Sequence, residues 1–90
     1  MDDIDLIEQQ DLQIITSLIK AMVSEPDDVL IKRSTDEQGV FMRVWVNKID
    51  MSILIGRAGE NAKALRQIMR AIGYRNKSHI SLKIEEPERV

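Results

Sequence analysis

Apolar residues recur at Ile4, Ile7, Leu12, Ile15, Leu18, Ile19, Met22 and Val23. This three-and-four spacing predicts an amphipathic helix from about Asp3 to Ser24. Pro26 ends it, because the residue before a proline is pushed out of the α region. Glu25-Pro26-Asp27-Asp28 then makes a turn. The period changes to two from Val29. Val29–Arg33 reads as a short strand, and Ser34–Gly39 as a polar hairpin loop longer than the two-residue ideal. Val40–Val46 is the clearest strand: Val40, Met42, Val44 and Val46 point one way, Phe41, Arg43 and Trp45 the other.

The helical period returns after Asn47-Lys48-Ile49. Asp50-Met51-Ser52-Ile53-Leu54-Ile55 is a short apolar helical piece with Asp50 as its N-cap. Two glycines three apart follow. From Glu60, the residues Ala62, Leu65, Ile68, Met69 and Ile72 mark the inward face of a longer helix. Gly73 is the expected stop just past its end. Tyr74–Ser78 is a basic loop, and His79–Glu85 a final strand with Ile80, Leu82 and Ile84 on one face.

The predicted order is α-β-β-α-α-β. A strand–two helices–strand crossover makes its strands parallel, and the hairpin adds an antiparallel strand. The fold class is α+β: one domain over 1–90, a three-stranded mixed sheet with three helices on one face. Residues 1–4 and 86–90 are expected to fray as tails. The helices should cover the face of Val44, Val46, Ile80 and Leu82. The opposite face, with Phe41, Arg43, Trp45 and Lys83, should stay open.

Ninety residues allow one small domain, and a hydrophobic share of 43% is enough for a core. There is no cysteine, which excludes a disulfide framework and a cysteine-rich zinc site and fits a reducing compartment. The acidic start Met1-Asp2-Asp3-Ile4-Asp5 lacks the pattern of a signal peptide, and no apolar run reaches membrane-spanning length. The expected location is the cytoplasm.

The net charge of −2 hides a strong polarity. Residues 1–39 hold ten acids against three bases, residues 40–84 nine bases against two acids, and residues 85–90 three acids against one base. A polyanion responds to such a local field rather than to the total. The loop Gly56-Arg57-Ala58-Gly59 lies in the basic half. Glycines at the mouth of a helix allow a tight turn and close approach of another backbone. The helix end behind them favours an anion, phosphate above all. The plain alternative is an ordinary helix–helix turn.

Catalysis finds no support. His79 is the only histidine, and Ser52 and Ser81 have no triad partners in pattern. Asp27-Asp28 is a turn, and the glycine loop lacks the lysine and spacing of a nucleotide-binding P-loop. Neither an enzyme, a cofactor nor a metal is expected.

Two stretches resemble one family. Ile55-Gly56-Arg57-Ala58-Gly59-Glu60-Asn61-Ala62-Lys63-Ala64-Leu65-Arg66 is similar to a KH-domain Ile-Gly-x-x-Gly loop and its following helix. Leu18-Ile19-Lys20-Ala21-Met22-Val23-Ser24-Glu25-Pro26-Asp27-Asp28-Val29 resembles the first-helix exit of the small stand-alone bacterial KH-domain RNA-binding proteins, KhpA/YlqC type. The resemblance runs from about Leu12 to Glu86 and implies a type II KH domain.

It further implies single-stranded RNA in a groove, clamped over about four nucleotides. One wall is the short helix, the glycine loop and the second helix; the other is the last strand with Tyr74–Ser78. Gly56 and Gly59 admit the sugar-phosphate backbone, Arg57 pairs with phosphate, and Lys63, Arg66 and Arg70 track the chain. Ile53, Ile55, Ala62, Leu65 and Leu82 are candidates for an apolar floor, with plain core packing the better reading of Leu65 and Leu82. The implied RNA-binding set is Ile55, Gly56, Arg57, Ala58, Gly59, Asn61, Ala62, Lys63, Arg66 and Arg70. Glu60 departs from the family habit of a basic or polar residue there and is expected to weaken binding. Phe41, Arg43 and Trp45 form a candidate partner surface, for a homodimer or a heterodimer with a second KH-domain protein. The function implied is RNA binding, as an RNA chaperone or post-transcriptional regulator. The alternative is a KH-shaped protein-interaction module with weak or lost RNA affinity.

Overall fold

The computed structural model describes residues 10–87. Among them run α1 (Gln10–Met22), β1 (Leu30–Asp36), β2 (Gly39–Trp45), α2 (Met51–Ile55), α3 (Glu60–Arg75) and β3 (Ile80–Ile84). Single 3-10 turns lie at Pro26–Asp28, Lys48–Asp50 and Arg57–Gly59. The sheet order is β1-β2-β3, antiparallel between β1 and β2 and parallel between β2 and β3. This is the α+β arrangement of three helices and a mixed three-stranded sheet expected from the order of elements. The start of the first predicted helix, with Ile4 and Ile7, and residues 88–90 of the predicted tail lie outside the described residues. No helix of the described residues is long and apolar enough to cross a membrane.

The β2–β3 register aligns apolar residues: Val40 with Ile80, Met42 with Leu82, Val44 with Ile84. All of these but the partly buried Ile84 are buried, and Ile15 and Ile19 of α1, Leu54 of α2 and Leu65 and Met69 of α3 close over them. Leu54 is fully buried in a helix of five residues. So short a helix does not stand by itself. Burying one leucine is worth about 1.5–3 kcal/mol, enough to pin it to the core.

Four expectations need correction. β1 runs to Asp36, and Asp36 pairs with Gly39, so the hairpin turns on Glu37-Gln38 alone. Ladder hydrogen bonds are made by backbone, so the polar run Ser34–Asp36 pairs as well as an apolar one. The Asp36 carboxylate accepts from the Gln38 N–H at 2.8 Å and shapes the turn. Second, α3 does not stop at Gly73 but continues to Arg75. Gly73 is buried against β3: a Cβ there would lie 2.4 Å from the Ser78 carbonyl oxygen. The glycine serves close approach, not termination. Third, Ile68 is 40% exposed. It sits about 60° round the helix from Leu65, on the side away from Met69. Fourth, Asp50 makes no side-chain cap to α2. Its buried carboxylate accepts from the Ser24 N–H (2.8 Å), the Ser24 hydroxyl (2.7 Å) and the Glu25 N–H (3.0 Å). It thereby ties the exit of α1 to the entry of α2.

Candidate nucleic-acid interface

The loop between α2 and α3 is built from left-handed backbone. Gly56 has φ 79°, Ala58 55° and Gly59 76°. An L-residue pays roughly 1–2 kcal/mol in that region, so Ala58 is held there by its surroundings. The Gly56 N–H donates to the Ser52 carbonyl at 2.8 Å and closes α2, and the Gly59 N–H donates to the Gly56 carbonyl at 3.1 Å.

The two glycines do different work. A Cβ on Gly56 would lie 2.7 Å from the Asn61 Cγ, so this glycine lets the loop fold onto α3. A Cβ on Gly59 would meet nothing within 4 Å among the described residues beyond its chain neighbours. Gly59 is therefore required by conformation alone, and its outer side stands open at the N-terminus of α3, the positive end of the helix dipole. Arg57 and Ala58 are exposed beside it.

The remaining candidates divide into contact-ready and structural groups. Ile53 and Ile55 are 47% and 38% exposed next to the loop. Lys63, Arg66 and Arg70 are exposed along α3. Asn61 is occupied as a strut: its Nδ2 donates to the Ile53 carbonyl at 2.7 Å and locks α2 to α3. Ala62, Leu65 and Leu82 are buried at 4%, 4% and 6% exposure. Leu65 and Leu82 belong to the core cluster, and Ala62 reaches a ligand only through a sliver of surface. Glu60 is exposed in the first turn of α3.

β3 is the outer strand on its side of the sheet among the described residues. Backbone groups of its odd positions meet β2, as in the Val40 N–H to His79 carbonyl bond (2.7 Å) and the Glu85 N–H to Val44 carbonyl bond (2.8 Å). Those of even positions face outward. Arg66 Nε donates to one of them, the Leu82 carbonyl, at 3.1 Å. One N–H of Arg66 thus fastens α3 to the strand edge, which leaves its terminal nitrogens for another acceptor. At 100° per residue, Lys63, Arg66, Arg70 and Tyr74 fall within about 80° of one another round α3. The glycine loop stands at the head of this stripe.

The opposite sheet face carries Phe41 at 39% and Leu30 at 50% exposure. Trp45 is half-buried between two cations, Arg43 at 4.8 Å and Lys32 at 5.4 Å from its ring centre. Arg43 also pairs with Glu85 at 2.9 Å, which holds the Glu85 carboxyl below its ordinary range. Of the three residues singled out there, Phe41 and Arg43 are exposed and Trp45 is partly covered.

Two structural residues gave no functional signal in the sequence. Asp11, buried in the first turn of α1, holds Arg33 of β1 by two hydrogen bonds of 3.0 and 3.3 Å. Asp50 was legible as a capping residue but not as the partner of Ser24.

Residues 13–84 match the family model described as KhpA/KhpB, KH domain. A protein named RNA-binding protein KhpA in Listeria monocytogenes serovar 1/2a is 35% identical over 74 residues, covering 82% of this chain and 97% of the relative. The protein of that name in Bacillus subtilis is 30% identical, covering 79% and 88%. That of Streptomyces coelicolor is 36% identical, covering 70% and 80%.

Proposed function

The chain belongs to the KhpA/KhpB family of KH domains, and from that premise we propose that it binds single-stranded RNA through the Gly56–Gly59 loop and the adjoining side of α3. One observation carries the reading. The outer side of Gly59 is open at the head of the Lys63–Arg66–Arg70 stripe: among the described residues, no atom beyond its chain neighbours lies within 4 Å of where a Cβ would stand. A phosphate can approach the loop backbone there, with Arg57 beside it and further cations along the strand's path.

Base selection is modest in this reading, because the interface offers backbone and cations rather than a row of aromatic platforms. A clamp of that kind suits a protein that engages many transcripts, as an RNA chaperone or post-transcriptional regulator. Glu60 lowers the affinity without closing the site.

The test is fluorescence anisotropy of a short labelled single-stranded RNA with the wild type and with Arg57→Asp/Ala58→Asp, at low and moderate salt. Binding by the wild type that weakens with salt, and loss of binding in the folded variant, supports the clamp. Equal behaviour of the two proteins makes the loop a structural turn.

A second reading draws on the open sheet face, where Leu30, Phe41 and Trp45 lie among Lys32 and Arg43. Such a surface fits a protein partner, either a second copy or another KH-domain protein. An interface of that kind keeps its strength as salt rises, whereas phosphate contacts do not.

A further inference from the structure

Tyr74 is 87% exposed, the most exposed large apolar side chain among the described residues. Gly73 presses against the Ser78 carbonyl and Ile80, so the next residue round the helix is turned away from the core. The turn after it is pinned. Lys77 has φ 55°, its N–H donates to the Tyr74 carbonyl at 3.2 Å, and the Ser78 N–H donates to the Gly73 carbonyl at 2.8 Å. Beside this turn lies a cleft of about 610 Å³ that Tyr74 lines with Arg70, Arg75, Lys77 and His79. Among the described residues, no carboxylate lines it.

The cleft is the far end of the stripe that begins at the glycine loop. From Gly59 to Tyr74 is about 22 Å at 1.5 Å per residue. Stacked nucleotides advance about 3.4 Å each, so that distance accommodates about six of them, more than the roughly four a KH loop clamps.

We propose that Tyr74 and this cleft form an outer nucleotide subsite. A base stacks on the Tyr74 ring, and Arg70, Arg75 and Lys77 hold its flanking phosphates. This rests on the RNA-binding reading above and extends the footprint from the glycine loop along the length of α3. An aromatic face accepts any base, so the subsite adds affinity for longer strands with little sequence preference. An acidic protein segment is the competing occupant. The exposed ring beside three basic side chains favours a stacked base with its phosphates.

The experiment compares labelled four- and ten-nucleotide oligouridylates by anisotropy, with the wild type, Tyr74→Phe and Tyr74→Ala. So exposed a side chain should be dispensable for folding, and thermal melting followed by circular dichroism checks this. The expected result is a ten-mer affinity about 5- to 100-fold weaker in Tyr74→Ala. The four-mer should lose far less than the ten-mer, and Tyr74→Phe should match the wild type. If Tyr74→Ala binds the ten-mer like the wild type while both bind the four-mer, the outer subsite is wrong and the clamp stands. Equal losses on both oligomers also overturn it, since Tyr74 would then belong to the clamp. A wild type that binds neither oligomer removes the RNA reading and this inference together.

Discussion

The carboxylate of Asp50 takes both the backbone N–H and the hydroxyl of Ser24, at 2.8 and 2.7 Å, across 26 positions of sequence. With the Glu25 N–H it satisfies the chain as it leaves α1, and it fixes where α2, and hence the glycine loop, begins. These hydrogen bonds, the Ser24 N–H foremost, hold the Asp50 carboxyl below its ordinary range.

A depressed carboxylate stabilises the fold at every pH above its unfolded value, about 3.9. That stabilisation is lost as pH falls through the lower folded value. Asp50→Asn should therefore melt roughly 5 °C or more below the wild type at pH 7. The gap should shrink as pH falls below about 4. Thermal melts across pH 3–7 check this; a gap constant down to pH 3 would show that the charge on Asp50 contributes nothing.

The two loop glycines should respond differently to alanine. Gly56→Ala meets both positive φ and Asn61, and should cost about 2–4 kcal/mol. Gly59→Ala meets positive φ alone and should cost about 1–2 kcal/mol. Urea denaturation ranks them. An equal cost would mean that the Asn61 contact relaxes freely.

Each phosphate contact contributes about −0.7 to the slope of log affinity against log salt for a single strand. Lys63→Gln and Arg70→Gln should each flatten the slope by that amount without changing the melting temperature. Arg66→Gln should flatten it too. It should also lower stability by about 0.5–1.5 kcal/mol, because the Leu82 carbonyl loses its donor. Unchanged slopes would take the α3 stripe out of the interface.

Gly73→Ala should destabilise by about 1–3 kcal/mol, since the new Cβ falls on the Ser78 carbonyl, which the turn cannot readily move. An ordinary helix-ending glycine in right-handed backbone would instead gain from alanine. The sign of the change in denaturation midpoint decides between the two.

Asp11→Ala strands the largely buried Arg33 guanidinium and should cost about 1–3 kcal/mol. The double variant Asp11→Leu/Arg33→Met replaces both partners with apolar groups. It should lie within about 1 kcal/mol of the wild type. A double variant as unstable as the single one would show the ion pair to be more than a mutual neutralisation.

Hydrophobic period and punctuation determined much of this protein from sequence alone. Helical spacing after Ser52, alternation in Val40–Val46, Pro26 and the Gly56/Gly59 pair each act over a few residues, and local rules read them. They determined the order of elements, the buried face of β2, the glycine turn and the concentration of cations in the second half. They also placed Lys63, Arg66 and Arg70 on one side of one helix.

Tertiary structure decided what depends on partners distant in sequence. Asp50 has the chemistry of a cap, but only the fold brings Ser24 to it instead of the first turn of α2. Gly73 looks like a helix stop, and only the approach of Ser78 and Ile80 gives it another purpose. Asn61 and Arg66 read from sequence as RNA-binding residues, and only the packing of α3 on α2 and β3 spends part of each on a carbonyl. Whether Gly59 is crowded or open is likewise set by the neighbours that three-dimensional packing supplies, and among the described residues it supplies none beyond the adjoining chain.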